Sequence, residues 1–307
     1  MSTPTPVAPA AVGVRSRWSL GSLLGPQRRT RVGAGILAFL ILVALLAPLI
    51  APHDPEAISG DRVLAAPDLA HPFGSDALGR DVLSRVMFAF RVSLSVAVGS
   101  VALAFVFGTS IGLVAGYFGG RVDTVLMRPI EMLLALPALL LAVSLIAIIG
   151  PGTPVALLAI AIIYLPIIAR VVRGSALVVS AQPYVEAARA RGSSHPATML
   201  RHVLPNAVAP ALVQATVLMG FALQIEAALS FLGLGAQPPT PSLGLMLSDG
   251  RDVLSLAPWV EVFPGVAIAV TVLAFNIFGD GLRSRLDPHA PARLPHDRSA
   301  RVGRLAS

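Results

Sequence analysis

The sequence predicts an all-α, polytopic membrane protein with six transmembrane helices. Of its 307 residues, 55% are hydrophobic and only 13% are charged, whereas soluble proteins carry about 25% charged residues. Five runs without charged residues approach or exceed the roughly 20 apolar residues that a helical span needs. These runs cover residues 32–52, 92–120, 132–169, 202–225 and 262–279.

The third run is too long for one span. As a single helix its 38 residues would rise about 57 Å, nearly twice a hydrocarbon core of about 30 Å. The sequence GPGTP at 150–154 lies near its middle, and Pro and Gly together favour a turn. We therefore predict two helices joined by a tight hairpin, which brings the total to six.

The arginines predict which side of the membrane each loop occupies. The net charge of +7 comes entirely from arginine, because the chain has no lysine. With six spans and the N-terminus inside, 18 arginines lie on the inner side and 5 on the outer side, as the positive-inside rule requires. Both termini are therefore expected in the cytoplasm. The arginines flank apolar runs, which favours a membrane over nucleic acid as the partner of this basic chain.

The spans divide the chain into four parts. Residues 1–31 are rich in Pro, Ser, Thr and Ala, lack acidic residues, and are predicted to be a disordered cytoplasmic tail. Residues 32–91 hold the first span and an outer loop. Residues 92–282 form a five-helix core that includes a cytoplasmic loop at 174–206, and residues 283–307 form a second cytoplasmic tail.

Two outer loops have their own predicted structure. Within the first loop, 53–91, residues 71–85 are expected to form an amphipathic helix capped by Ser75 or Asp76. The second loop, about 229–261, is rich in Gly and Pro and is predicted to be ordered but irregular.

A polar segment interrupts the apolar sequence at Tyr184–Asn206. We call it the EAA segment, after the one-letter sequence of residues 186–188. Its first half is rich in helix-forming residues, and Gly192 then provides a helix stop. Ser193 or Ser194 can cap a second short helix that has Pro196 in its first turn. Two short helices hinged at a glycine outside the bilayer predict a docking element. The alternative is an amphipathic helix on anionic lipid, since four arginines lie nearby.

The sequence lacks the motifs of an enzyme. A phosphate-binding GxxxxGK[ST] loop is impossible without lysine, and HExxH, GxSxG and cysteine ligands are also missing from the sequence. We therefore expect a chain that is not an enzyme and that holds no cofactor or metal, with ATP and Mg²⁺ bound by separate subunits.

The EAA segment resembles the EAA loop of the membrane subunits of binding-protein-dependent ABC importers. The resemblance rests on EAA at 186–188, on Gly192 and on Leu204-Pro205. HPFGSDALGRDVLSR, EAALSFLGLGAQPPTPSLGLML and NIFGDGLRSRLDP extend it to the second permease subunit of the dipeptide/oligopeptide/nickel branch. One departure is Leu243, where that branch is expected to have tryptophan.

The resemblance implies a type I ABC importer permease fold in the inner (cytoplasmic) membrane of a bacterium or archaeon. It implies as partners a second related permease, two ATPase subunits and an extracytoplasmic substrate-binding protein. In that family the EAA loop is a coupling helix seated in a cleft of the ATPase. Carried over, the coupling residues are Tyr184, Glu186, Ala187, Ala188, Gly192, Leu204 and Pro205. The implied cargo is a dipeptide or oligopeptide, with nickel or another small solute as the alternative.

Two further sets of residues are candidates for a role in transport. Gln214, Gln224 and Glu226 are candidates for the translocation path, because polar groups in spans are often functional. For the two glutamines helix packing is the favoured alternative, and for Glu226 the alternative is snorkelling at a helix end. The loop residues expected to face the binding protein are Gly74, Asp76, Gly79, Arg80, Asp81, Pro238, Pro239 and Pro241. An ion-coupled secondary transporter is the rival from another class, and it would need more acidic residues inside spans.

Overall fold

The computed structural model describes residues 26–286, so the tails predicted at 1–31 and 283–307 lie outside the described residues except for 26–31 and 283–286, which belong to helices. Within 26–286 the regular structure is helical, apart from one isolated bridge between Ser75 and Asp81. The helices are α1 Pro26–Ile50, α2 Val82–Phe118, α3 Gly120–Leu133, α4 Ala138–Ile149, α5 Thr153–Ser180, α6 Pro183–Ala190, α7 His195–Thr198, α8 Leu204–Ala207, α9 Ala209–Phe231, α10 Leu243–Arg251 and α11 Trp259–Leu286. A 3₁₀ turn at Gly60–Arg62 and a π-helical turn at Met199–Val203 complete the set.

Five of these helices, α1, α2, α5, α9 and α11, are long and apolar enough to cross a bilayer. The sixth crossing requires α3 and α4 together, which meet at a bend of 89°. The 12 residues of α4 rise only about 18 Å, so α4 alone is too short. The turn predicted at 150–154 is confirmed, since α4 ends at Ile149 and α5 begins at Thr153.

The predicted helix at 71–85 was wrong. Residues 71–81 form turns, and α2 begins at Val82 with Asp81, not Ser75 or Asp76, as its N-cap. The boundary that we placed after residue 91 consequently falls inside α2. Charged residues misled the prediction, because Arg85 belongs to α2 and is only 1% exposed. Its charge can be buried because Asp76 and Asp249, both outside α2, pair with it.

Helices α2 and α5 form the centre of the fold. Gly108, Gly112 and Gly116 face α5 so closely that a Cβ at Gly116 would lie 2.6 Å from the carbonyl oxygen of Arg173. A Cβ at Gly108 would lie 2.9 Å from the carbonyl oxygen of Leu165, and one at Gly112 would overlap the carbonyl oxygen of Ala169. We call these three glycines the glycine seam. Their GxxxGxxxG repeat is a known signal for close helix packing in membranes, and our sequence analysis missed it.

The connections gather at two opposite ends of the helices. One end, the loop end, comprises residues 51–81, the hairpin at 150–152 and residues 232–258. The backbone N–H of Gly152 donates to the carbonyl oxygen of Leu234 and so ties the hairpin to this end. The other end, the EAA end, carries α3 and the EAA segment.

Candidate functional site

The EAA segment is built as two helices around a glycine. Helix α6 has Pro183 in its first turn and ends at Ala190. Gly192 follows with φ +84°, a left-handed conformation that glycine adopts without steric cost. Ser194 then occupies the N-cap position of α7, and Pro196 lies in that helix's first turn, as the sequence predicted.

One face of α6 is anchored and the other is open. Val185 and Ala188, one helical turn apart, are 0% and 2% exposed. Val185 belongs to the main hydrophobic core. Glu186 and Ala187 are exposed, and Tyr184 is 45% exposed. The segment is thus attached to the body of the protein, while Tyr184, Glu186, Ala187 and Arg189 stay uncovered.

A hydroxyl at the end of α2 holds the two halves of the EAA segment. The Tyr117 hydroxyl lies 2.9 Å from Nδ1 of His195 and accepts a hydrogen bond of 3.2 Å from Nε of Arg189. The Arg189 guanidinium also lies 4.5 Å from the centroid of the Tyr117 ring, a favourable cation–π arrangement. Tyr117 therefore joins α6 and α7 to α2. Sequence reasoning did not single it out, because it ends an apolar run and belongs to no motif.

A second polar contact fixes α3 at the same end. Asp123 of α3 and Arg173 of α5 form a two-pronged ion pair, with N–O distances of 2.5 and 2.6 Å. Such bidentate pairs define orientation as well as distance. The pair links the bent helix pair to α5.

The segment continues directly into α9. Its last part is the π-helical turn Met199–Val203 followed by α8, and Val208 alone separates α8 from α9. Pro205, which has no backbone N–H, lies in the first turn of α8. Leu204 is half-buried and Pro205 is exposed. These residues connect the EAA segment to a span through helical backbone.

The three path candidates occupy different environments. Gln224 is exposed on α9 and Gln214 is half-buried, so both stay predictions. Glu226 is 1% exposed, so in this conformation it neither snorkels nor faces open space. The Ser230 hydroxyl donates to Glu226 Oε1 at 2.8 Å and accepts from the backbone N–H of Ala236 at 3.2 Å. Glu226 therefore joins α9 to the connection that follows it.

Buried charges organise the loop end. Asp76 accepts a hydrogen bond of 2.7 Å from Nε of Arg80 and lies 3.5 Å from Nε of Arg85. Arg85 also donates to the carbonyl oxygen of Pro55 at 3.2 Å. Asp249 of α10 lies 3.6 Å from Arg80 and 3.9 Å from Arg85. Burial raises the pKa of the Asp249 carboxyl, and the two arginines oppose that rise.

Two hydrogen bonds complete the loop end. The Trp259 indole N–H of α11 donates to the carbonyl oxygen of Ser75 at 3.1 Å. Asp81 accepts from the backbone N–H of Ser84 at 2.7 Å and lies 2.8 Å from Nδ1 of His71, whose ring stacks on His53. Together with the Asp76 contacts, these bonds join residues 51–81 to α2, α10 and α11.

The expectation that residues 74–81 face a binding protein needs correction. Gly74, Asp76, Gly79, Arg80 and Asp81 are all buried, and the three charged side chains pair with His71, with one another or with Asp249.

The candidate residues of the second loop are partly buried and partly exposed. Pro241 is also buried, whereas Pro238 and Pro239 are exposed. Leu243, the departure from the family pattern, is fully buried at the start of α10.

Comparison with known proteins identifies what the chain is similar to. The family described as "Binding-protein-dependent transport system inner membrane component" matches residues 108–290, and "N-terminal TM domain of oligopeptide transport permease C" matches residues 27–72. A dipeptide transport system permease protein of Alkalihalophilus pseudofirmus is 43% identical over 84% of each chain. A glutathione transport system permease protein of Escherichia coli O157:H7 is 44% identical over 85% of this chain and 87% of its own.

One solved structure has the same fold. A chain of an amino acid ABC transporter superposes with a TM-score of 0.51 at 17% sequence identity, covering 66% of this chain and 94% of its own. At that identity the likeness concerns the fold alone.

Proposed function

Because the chain belongs to the binding-protein-dependent transport system inner membrane components, in the dipeptide/oligopeptide branch of ABC importer permeases, we propose that it imports small peptides and couples to an ATPase through the EAA segment. Relatives whose names specify dipeptide and glutathione transport support a small peptide as cargo. Nickel or another small solute is the alternative within the branch.

The observation that carries the coupling proposal is the divided surface of α6. Its buried side, Val185 and Ala188, is in the protein body, while Glu186 and Ala187 point outward. Small side chains permit close approach of a partner, and within residues 26–286 Glu186 has no ion pair within 4 Å. A basic group on an ATPase subunit would satisfy that carboxylate.

The transmission path is the helical connection on either side of α6. A force on Glu186 would reach α2 through Tyr117 and α9 through α8, while the glycine seam moves α2 and α5 as one unit. This supports alternating access by rigid tilting of helix groups. The arginine asymmetry supports an orientation with the EAA end and both termini in the cytoplasm. A second permease subunit, a pair of ATPases and a binding protein near Pro238 and Pro239 complete the proposed assembly.

Charge reversal on the exposed face tests the coupling. Glu186→Lys should lower ATP-driven uptake of a labelled dipeptide at least tenfold and reduce ATPase co-purification, since the like charge meets the partner's basic group. Thermal unfolding of the chain should not change, because Glu186 is exposed. Asp280→Lys, an exposed carboxylate on α11, is the matched control and should leave uptake intact. If uptake and co-purification both survive Glu186→Lys, the coupling proposal is wrong. Uptake of nickel but not of dipeptide by the unmodified protein would overturn the peptide assignment only.

A further inference from the structure

A cavity of about 1130 Å³ lies between α1 and α2 at the loop end. Its walls are apolar and come from both helices, including Ile41, Leu45 and Val98. Three charged residues also line it and form what we call its rim, namely Asp54 and Glu56 from the segment after α1 and Arg91 from α2. Asp76 and the charged residues that contact it do not line the cavity, but His53 and Pro55, which contact His71 and Arg85, do.

The three rim charges are exposed and available to a ligand. Asp54, Glu56 and Arg91 are all exposed, and within residues 26–286 none forms an ion pair within 4 Å. The guanidinium of Arg91 lies 5.9 Å from the ring centroid of Phe88, which is also part of the cavity lining. The rim therefore offers two carboxylates and one guanidinium that the protein itself leaves without a close opposite charge.

The position of the rim along the helices matches the surface of a bilayer. Arg91 is the last charged residue of α2 before its uncharged stretch, which continues to Phe118. Asp54 and Glu56 follow shortly after the end of α1 at Ile50. The charges thus lie where both helices leave their apolar sequence, and the apolar walls lie on the bilayer side of them. Such a cavity suits an amphiphile whose head carries both signs of charge.

We propose that this cavity binds a zwitterionic phospholipid with a phosphoethanolamine head. Arg91 holds the phosphate, for which a guanidinium is a suitable two-pronged donor. Asp54 and Glu56 accept N–H bonds from the primary ammonium, and the acyl chains lie along Ile41, Leu45 and Val98. A choline head carries no N–H and a glycerol head carries no cation. The carboxylates therefore discriminate against both.

Lipid retention measures the charge part of the proposal. The full chain, purified in its membrane complex, is exposed to dioleoyl lipids with ethanolamine, choline or glycerol heads and examined by native mass spectrometry. The ethanolamine lipid should be retained best. Arg91→Gln should lower its retention about tenfold, the effect of one charged hydrogen bond. Asp54→Asn with Glu56→Gln should remove the preference over choline. Arg251→Gln and Asp252→Asn, exposed charges outside the cavity, should change neither.

The absence of cysteine allows the lipid to be located. A fluorophore on Leu45→Cys, in the cavity, should be quenched more by spin-labelled ethanolamine lipid than one on Phe39→Cys. Both positions are similarly exposed on α1, at 67% and 62%, but Phe39 does not line the cavity. Arg91→Gln should abolish the difference. Equal retention of the three lipids would overturn the proposal. It would also be overturned if the labelled Leu45→Cys protein showed no lipid quenching and its unlabelled thiol instead cross-linked to another protein.

Discussion

The loop end and the EAA end place their charged side chains in different ways. At the loop end, Asp76, Arg80 and Arg85 are at most 8% exposed and contact one another or Asp249. At the EAA end, Glu186 and the nearby Arg189 and Arg191 are exposed. The loop end pairs its buried charges within the chain and leaves others, such as Asp54 and Glu56, exposed, while the EAA end keeps most of its charges on the surface.

The difference separates a structural region from a region prepared for a partner. Burying charges has a large desolvation cost that only fixed, complementary geometry can offset. The loop end meets that condition and is therefore expected to be rigid. The EAA end is held by aliphatic contacts, by the Tyr117 hydrogen bonds and by the Asp123–Arg173 pair. The charges on its outward face stay in contact with solvent, so a second protein can form ion pairs with them.

The largest effect is expected from breaking the loop end. Asp76→Ala would leave the buried Arg80 and Arg85 with only the more distant carboxylate of Asp249, and removing one partner of a buried pair typically lowers the free energy of unfolding by about 3–5 kcal/mol. Chemical unfolding of the purified full chain measures this change. The structure predicts a clear loss of stability even though the site is distant from the EAA segment.

The control for that variant is Asp252→Ala. Asp252 also pairs with an arginine at the loop end, at 3.1 Å from Arg251, but both side chains are more than half exposed. Exposed pairs contribute about 0–1 kcal/mol, so this variant should change stability little. Equal losses in the two variants would show that burial does not distinguish the charges of this end.

Sequence reasoning found the parts of the fold that follow from local composition. The uncharged runs located the spans, and Gly192 located the hinge of the EAA segment, because apolar length and glycine act locally. It failed where charges are paired across the fold. Arg85 looked like an outer-loop residue, and Asp76 looked like a surface residue. Asp76 is paired by Arg80 and Arg85, and these arginines also contact Asp249, which is far away in the chain, so no local pattern reports the whole cluster.

The glycine seam tests whether the two ends are mechanically connected. Gly112→Leu would drive a side chain into the Ala169 carbonyl oxygen and force α2 away from α5. Overpacking of this kind costs about 1–3 kcal/mol, so unfolding should shift and uptake should fall. Gly35→Leu is the matched control, because Gly35 also lies in a span but a Cβ added there would meet no neighbouring helix within 4 Å. A Gly112→Leu protein that unfolds and transports like the Gly35→Leu control would contradict the close packing.

Of these variants, Tyr117→Phe is expected to change stability least. Its effect on the coupling of ATP hydrolysis to transport should be larger than its effect on stability. Tyr117→Phe keeps the ring under Arg189 but removes the hydroxyl that contacts Arg189 and His195. The Arg189 donor is charged but its side chain is exposed, so the lost contact should contribute only about 1 kcal/mol and the chain should remain folded with slightly reduced stability. Ser110→Ala is the control, since it removes an exposed hydroxyl of α2 that bonds only to the backbone of its own helix.

The informative measurement is the amount of peptide transported per ATP hydrolysed. Tyr117 joins both halves of the EAA segment to α2, so a looser joint should lower this ratio while the ATPase still binds. Stability and coupling would then respond differently, as expected if this end transmits force and does not mainly hold the fold together. An unchanged ratio in Tyr117→Phe would mean that motion reaches the spans through α8 and α9 alone.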